Sequence, residues 1–220
     1  MKGEKDAFLE NRLARYERWM AKGKIDFSAR VIPVREAIDT RQWILPASQV
    51  RDILQAADPI AVTACVCRSH YQRCDHPVDV CLLLNSVAAA EIKRKQARPV
   101  SLKAAKKILE TADKEGLVHL TFHMPGPDIY ALCSCCACCC HDLQILKQYH
   151  RPDLVVRSDF IAVDAAEKCV HCSLCVDRCI FDARRMIIGK MHFDPARCYG
   201  CGLCATICPA GAIGMRPRAE

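Results

Sequence analysis

No stretch of this 220-residue chain is apolar for 18 residues, so no transmembrane helix is expected. The longest candidate, 80–92, is too short and is interrupted by Asn85 and Glu91. The opening Met1-Lys2-Gly3-Glu4-Lys5-Asp6 is charged, with no apolar core behind it. No signal-peptide pattern is present, and a cytoplasmic address is expected. Also missing are a nucleophile–base pair, a phosphate loop and a Rossmann fingerprint, so any catalysis would have to come from a bound metal.

What the chain does have is 18 cysteines. In a reducing compartment such numbers argue for metal rather than disulfides. Cys169, Cys172, Cys175 and Cys179 form a C-x2-C-x2-C-x3-C run, and Cys198, Cys201, Cys204 and Cys208 repeat it 29 residues later. An internal repeat of this kind is read before anything else. Thiolates are soft ligands suited to iron–sulfur clusters, copper(I) and zinc. Zinc sites more often come as two separated C-x2-C pairs than as one compact run. His171, inside the first run, is expected to be a polar neighbour, because the thiolates already complete the ligand count.

This stretch resembles the short bacterial ferredoxins that carry two [4Fe–4S] clusters. The resemblance implies that Cys169, Cys172, Cys175 and Cys208 hold one cluster, and that Cys198, Cys201, Cys204 and Cys179 hold the other. Cys208-Pro209 follows the family pattern, whereas Ile180 stands where the first run would carry proline. Proline donates no ligand, so ligation is expected to be unaffected. The family fold implies a βαββαβ order. Strands are expected at 160–163, 185–188, 191–193 and 212–215, with a hairpin turning at Gly189-Lys190.

Ten further cysteines precede the repeat. Cys65, Cys67, Cys74 and Cys81 form one group; Cys133, Cys135, Cys136, Cys138, Cys139 and Cys140 form a knot of six in eight residues. A core does not concentrate thiols this way, so metal ligation is expected for most of them, with redox or sulfur handling by vicinal thiols as the remainder. Both groups follow strand-like runs, 60–66 and 128–132, and neighbouring strands would bring them together. At least one further iron–sulfur cluster is expected there, with ligands from both groups; ten thiolates would serve two cubanes with two left over. Cys65, Cys67, Cys74 and Cys81 are spaced to wrap one centre. The order CVCRSHYQRCDHPVDVC, GLVHLTF, CSCCACCC ahead of the paired runs resembles a group of anaerobe-associated 4Fe–4S proteins. That resemblance implies an iron–sulfur protein and names no substrate.

The rest of the pattern is α+β. Helices are expected at 4–22 (Phe8, Leu9, Leu13, Tyr16 and Met20 on one stripe), 46–57, 78–95 with Cys81 in its first turn, 101–115 capped by Ser101, and 142–149. Residues 23–45 look irregular. The helix 101–115 and the hairpin 117–132 resemble the end of a winged-helix unit, at the level of fold only. Three segments follow: an N-terminal helix and linker (1–45), a cysteine-rich α+β domain (46–157) and a ferredoxin domain (158–220). The formal charge of +7 counts every cysteine as neutral. Two cubanes, each about −2 with its thiolates, would bring it to about +3, and a third to about +1. Specific nucleic-acid binding is therefore not expected, and Lys103, Lys106, Lys107 and Lys114 suit phosphate rather than bases. The leading expectation is an electron carrier, or an electron-transfer subunit of an oxidoreductase, with protein redox partners. The alternatives are a reductase whose front cluster binds substrate and a redox-sensing winged-helix regulator.

Overall fold

The computed structural model describes residues 6–25, 29–32, 53–123 and 129–218. Helix α1 (Ala7–Ala21) starts where the Asp6 carboxylate accepts hydrogen bonds from the backbone N–H groups of Phe8 and Leu9, at 3.1 and 3.2 Å. Its stripe buries Leu9 and Tyr16 against Ile145 and Leu154. Residues 53–56 are helical; 46–52, the expected start of that helix, lie outside the described residues, as does the turn at 124–127.

Seven strands form one sheet. In chain order they are β1 (Ala29–Ile32), β2 (Ile60–Thr63), β3 (Cys81–Leu84), β4 (Arg98–Pro99), β5 (Val118–His123), β6 (Ile129–Cys135) and β7 (Val155–Val156). Their spatial order is β4-β2-β3-β6-β5-β1-β7, antiparallel except where β7 runs parallel to β1. Strand β1 falls in the segment expected to be irregular. The expected helix 78–95 is also corrected. Cys81-Leu82-Leu83-Leu84 is a strand, and the helix α3 runs only over Asn85–Lys93. Short apolar runs do not reveal their period, and this one is claimed by backbone partners on both sides, β2 and β6.

Strand β2 ends at Thr63, short of the expected Val66, and a short helix α2 (Val66–Tyr71) follows with Cys65 at its N-cap. Helix α4 (Leu102–Lys114) starts at Ser101, whose hydroxyl accepts from Ala104 N at 3.2 Å. It lays Ala105 and Leu109 on Ile60, Val62, Leu82, Leu84 and Leu132 of the sheet. Fully burying each such leucine contributes about 1.5–3 kcal/mol. Strand β6 runs through Cys133, Ser134 and Cys135, so the knot begins in the sheet; residues 136–140 then turn into helix α5 (His141–Gln148).

The C-terminal part has the order β8 (Phe160–Asp164), α6 (Leu174–Asp177), β9 (Arg184–Ile187), β10 (Lys190–Phe193), α7 (Leu203–Ile207) and β11 (Ile213–Pro217). Strand β8 pairs with β11, and β9 with β10, all antiparallel. The hairpin turns at Ile188-Gly189, one residue earlier than expected, with φ of 47° and 70°. This part is fastened to the sheet domain. Arg178 Nη2 donates to the carbonyls of Asp113 and Lys114 at the end of α4, at 2.6 and 3.0 Å, where a cation also offsets the helix dipole. Phe181 and Tyr199 stack at 4.5 Å between centroids and join the core that holds Val118, Leu120 and Leu143.

Candidate metal centres

The repeat folds as two like turns. His171 and Ser173 have φ of 52° and 65°, and their counterparts 29 residues on, Gly200 and Gly202, have 73° and 79°. These left-handed residues curl each run back on itself. At Gly200 a Cβ would strike the carbonyl oxygen of Phe160, so glycine is required there for space as well as for φ. The result is two pockets. One is lined by Cys169, Cys172 and Cys175 together with Cys208 from the second run. The other is lined by Cys198, Cys201 and Cys204 together with Cys179 from the first. Each run thus lends its fourth cysteine to the other's pocket. Backbone N–H groups already point at two of the sulfurs: Gly200 N lies 3.4 Å from Cys198 Sγ, and Ala212 N lies 3.3 Å from Cys208 Sγ. Such donors favour thiolate, the form a metal needs. Four convergent thiols in each of two pockets, with amide donors behind them, fit a pair of cubane clusters.

His171 is a neighbour of the first pocket. Its Nδ1 accepts a hydrogen bond from Met191 N at 3.1 Å and lies 3.6 Å from Cys169 Sγ.

Arg184 stands between the two pockets and had no assigned role in the sequence reading. Its guanidinium, 1% exposed, donates to both Asp164 carboxylate oxygens at 2.7 and 3.1 Å and lies 4.5 Å above the Phe193 ring. It also meets one sulfur of each pocket. Burial pushes the Cys175 thiol up and the Cys204 thiol to about 11, and in both cases the Arg184 charge opposes the rise. The counterpart of Arg184 in the repeat is Ile213, also buried. Comparing the two halves position by position would have found it, because a charge replaces an aliphatic side chain inside a core.

The front cysteines come together, but not as the sequence grouped them. Cys74, Cys136, Cys138 and Cys139 place their sulfurs within 4.8 Å of one another. Cys74 Sγ is 3.8 Å from both Cys136 Sγ and Cys139 Sγ. Cys65, Cys67, Cys81 and Cys133 pack in the same buried cluster as these four, while Cys135 and Cys140 belong to the adjoining core. Of Cys65, Cys67, Cys74 and Cys81, expected to wrap one centre, Cys74 joins the tight set and the other three share its buried cluster. Cys74 lies in the loop beyond α2 and reaches the 136–139 turn, while Cys81 sits in β3 beside β6. Strands β2 and β6 are not neighbours, as the sequence reading had them; β3 lies between them and carries Cys81 into the gap.

Two polar side chains, Arg68 and His141, serve these thiols. Arg68, 3% exposed, donates from Nη1 to Cys136 Sγ at 3.7 Å and from Nη2 to the Ser134 carbonyl at 3.0 Å. Contacts from Cys67 and Cys81, reinforced by Arg68, hold the Cys65 thiol well below its usual range. Burial pushes Cys136 up, but bonds from Cys138 and Arg68 outweigh it and leave the thiol lowered. Cys67 Sγ is 2.8 Å from His141 Nδ1, and His141 Nε2 is 2.8 Å from Asp142 Oδ2. Sequence position hinted at both, since Arg68 directly follows Cys67 and His141 closes the knot.

The eight-thiol geometry has its counterpart among known proteins. Residues 168–212 are a 4Fe–4S dicluster domain by family match. Three relatives match part of this chain. The pyruvate synthase subunit PorD of Thermotoga maritima is 46% identical over 55 residues, 24% of this chain and 56% of that protein. An uncharacterized ferredoxin of Methanocaldococcus jannaschii is 33% identical over 85 residues, 38% of this chain and 54% of its own. Hydrogenase-4 component A of Escherichia coli is 33% identical over 93 residues, 39% and 44% respectively. The chain thus spans about half the length of each. The front domain is packed on the dicluster domain: Cys179 and Cys201 rest on the same core as Cys135 and Cys140.

Proposed function

We propose that this chain is an iron–sulfur electron-transfer protein that passes single electrons between protein redox partners. The observation that carries the reading is the pair of crossed four-thiol pockets inside the dicluster domain. Clusters bound there would supply reversible one-electron chemistry without bond making. The chain's own groups would set the conditions. Gly200 N and Ala212 N donate to sulfur, Arg184 places a buried cation beside both pockets, and Phe181 and Tyr199 seal the second pocket against the front domain. The front domain, 46–157, would hold at least one further cluster, with Cys74, Cys136, Cys138 and Cys139 as its ligands. The dicluster domain, 158–220, would be the entry or exit port. The relatives are named as a pyruvate synthase subunit and a hydrogenase-4 component, which supports a place for this chain as a subunit of a redox complex; the cytoplasm of an anaerobe is the setting we propose for it. Among the described residues no helix is long and apolar enough to cross a membrane.

One observation favours a second reading, a reductase with its substrate site at the front. The buried line Cys67–His141–Asp142 joins a thiol, an imidazole and a carboxylate, as proton delivery to a substrate requires. The winged-helix regulator is the weakest reading. Helix α4 and the β5–β6 hairpin are present, but β5 also pairs with β1 and β6 with β3, so the hairpin lies within the sheet and does not project as a wing.

Stopped-flow mixing tests the leading reading. The holoprotein, reduced anaerobically by a low-potential donor, should hand electrons one at a time to an oxidised ferredoxin or viologen and be re-reduced without loss of iron. A reduced protein that passes electrons only in the presence of a small-molecule substrate would move the assignment to the reductase.

A further inference from the structure

Six front thiols remain once Cys74, Cys136, Cys138 and Cys139 are grouped, and they are not scattered. Cys65, Cys67, Cys81 and Cys133 pack in the same buried cluster as the Cys74 set, and Cys135 and Cys140 lie in the adjoining core, against which Cys133 also packs. All six are free thiols, five of them buried and Cys133 half-buried. Free cysteine is an acceptable small core residue, but eight in one buried cluster, four of them beyond the Cys74 set, need another explanation.

The second observation is charge. Arg68 is buried, donates to Cys136 of the four-thiol set and directly follows Cys67 of the remaining four. A buried guanidinium is costly unless negative charge matches it. Neutral thiols do not supply that charge, whereas metal-bound thiolates do. The third observation is position. Cys135 and Cys140 share a core with Phe181 and Tyr199 of the dicluster domain, and Cys133, Cys179 and Cys201 pack on that core.

We propose that Cys65, Cys67, Cys81 and Cys133 hold an iron–sulfur centre of their own, distinct from the Cys74 set. Cys135 and Cys140 would then lie between that centre and the pocket of Cys198. Two sites with Arg68 shared between them make the front domain a stepwise route toward the dicluster domain. The inference rests on the reading that front thiols ligate iron, and stoichiometry separates the failure of one from the failure of the other.

The test is iron, zinc and acid-labile sulfide counted per chain in anaerobically purified holoprotein. Four proteins are compared: wild type, Cys138→Ser, Cys81→Ser and the double variant. Two front centres predict about 16 iron in the wild type, about 12 in each single variant and about 8 in the double. The 8 that remain belong to the dicluster domain and report that the chain still folds. Cys133→Ser, at a half-buried position, repeats the Cys81 arm should that strand substitution prevent folding. A wild type with about 12 iron that falls to the same 8 in all three variants means one shared front centre. That result overturns the inference and leaves the proposed function standing. About 8 iron in the wild type, or zinc without sulfide at the front, removes both.

Discussion

Arg184 and His119 show how single side chains set limits on this molecule. Arg184 holds a positive charge between the two pockets where the other half of the repeat carries Ile213. A cation beside cluster sulfur stabilises the more negative, reduced form and raises the potential. Arg184→Ile, which restores the symmetry of the repeat, should lower the potential of both centres by about 60 mV or more, a tenfold change in a one-electron equilibrium. EPR-monitored potentiometry of the holoprotein would measure it, and unchanged potentials would refute the tuning role. Breaking the pair from the other side, with Asp164→Ala, strands a buried guanidinium and should cost about 3–5 kcal/mol of stability. His119 is wholly buried, with Nδ1 3.0 Å from Ser134 Oγ, and burial lowers its pKa to about 4. The unfolded chain titrates near 6.5, so between those values it binds more protons than the folded chain. Stability from this residue is therefore full above about pH 6.5 and is lost as pH falls toward 4, by up to about 3 kcal/mol. His119→Asn, which keeps a donor near Ser134, should flatten this part of the pH profile in urea titrations at pH 7 and pH 5. Neither residue was found from the sequence. A buried imidazole looks like any other polar letter until the packing around it is known, and Arg184 stands out only when the two halves of the repeat are compared.

At the scale of elements, legibility tracked how local the determining physics is. The repeat, the Ser101 cap and the apolar stripe of α4 are written in spacing and capping chemistry, the βαββαβ order is what the family resemblance implies, and all of them appear in the structure. Residues 81–84 were misread because CLLL fits a buried helix as well as a buried strand, and only pairing with distant β2 and β6 decides it. The same misreading hid the place of Cys81, which the strand sets opposite Thr63 of β2, two residues before Cys65. The β9–β10 hairpin carries a local misfit. Ile188 adopts φ of 47° while 98% exposed, and a β-branched residue gains nothing there. The two left-handed turn residues call for Asn-Gly. Ile188→Asn should stabilise the holoprotein by about 1 kcal/mol, read as a higher melting temperature with both potentials unchanged. A fall in stability would mean that the exposed isoleucine has a packing partner.

The whole molecule is a thiol-lined sheet domain joined to a two-pocket domain, with Cys135 and Cys140 on one side of their shared core and Cys179 and Cys201 on the other. The sequence announced sulfur ligation but was silent on this junction, because Phe181, Tyr199 and Leu143 meet only in the folded chain. The arrangement makes sense as a path for electrons, so the most direct measurement is how many electrons one chain stores. In an anaerobic coulometric titration of the holoprotein, followed by EPR, the account predicts reversible uptake of at least three one-electron equivalents. Two belong to the dicluster domain and at least one to the front. Uptake of no more than two equivalents, with the front thiols titrating as free sulfhydryls, would contradict it.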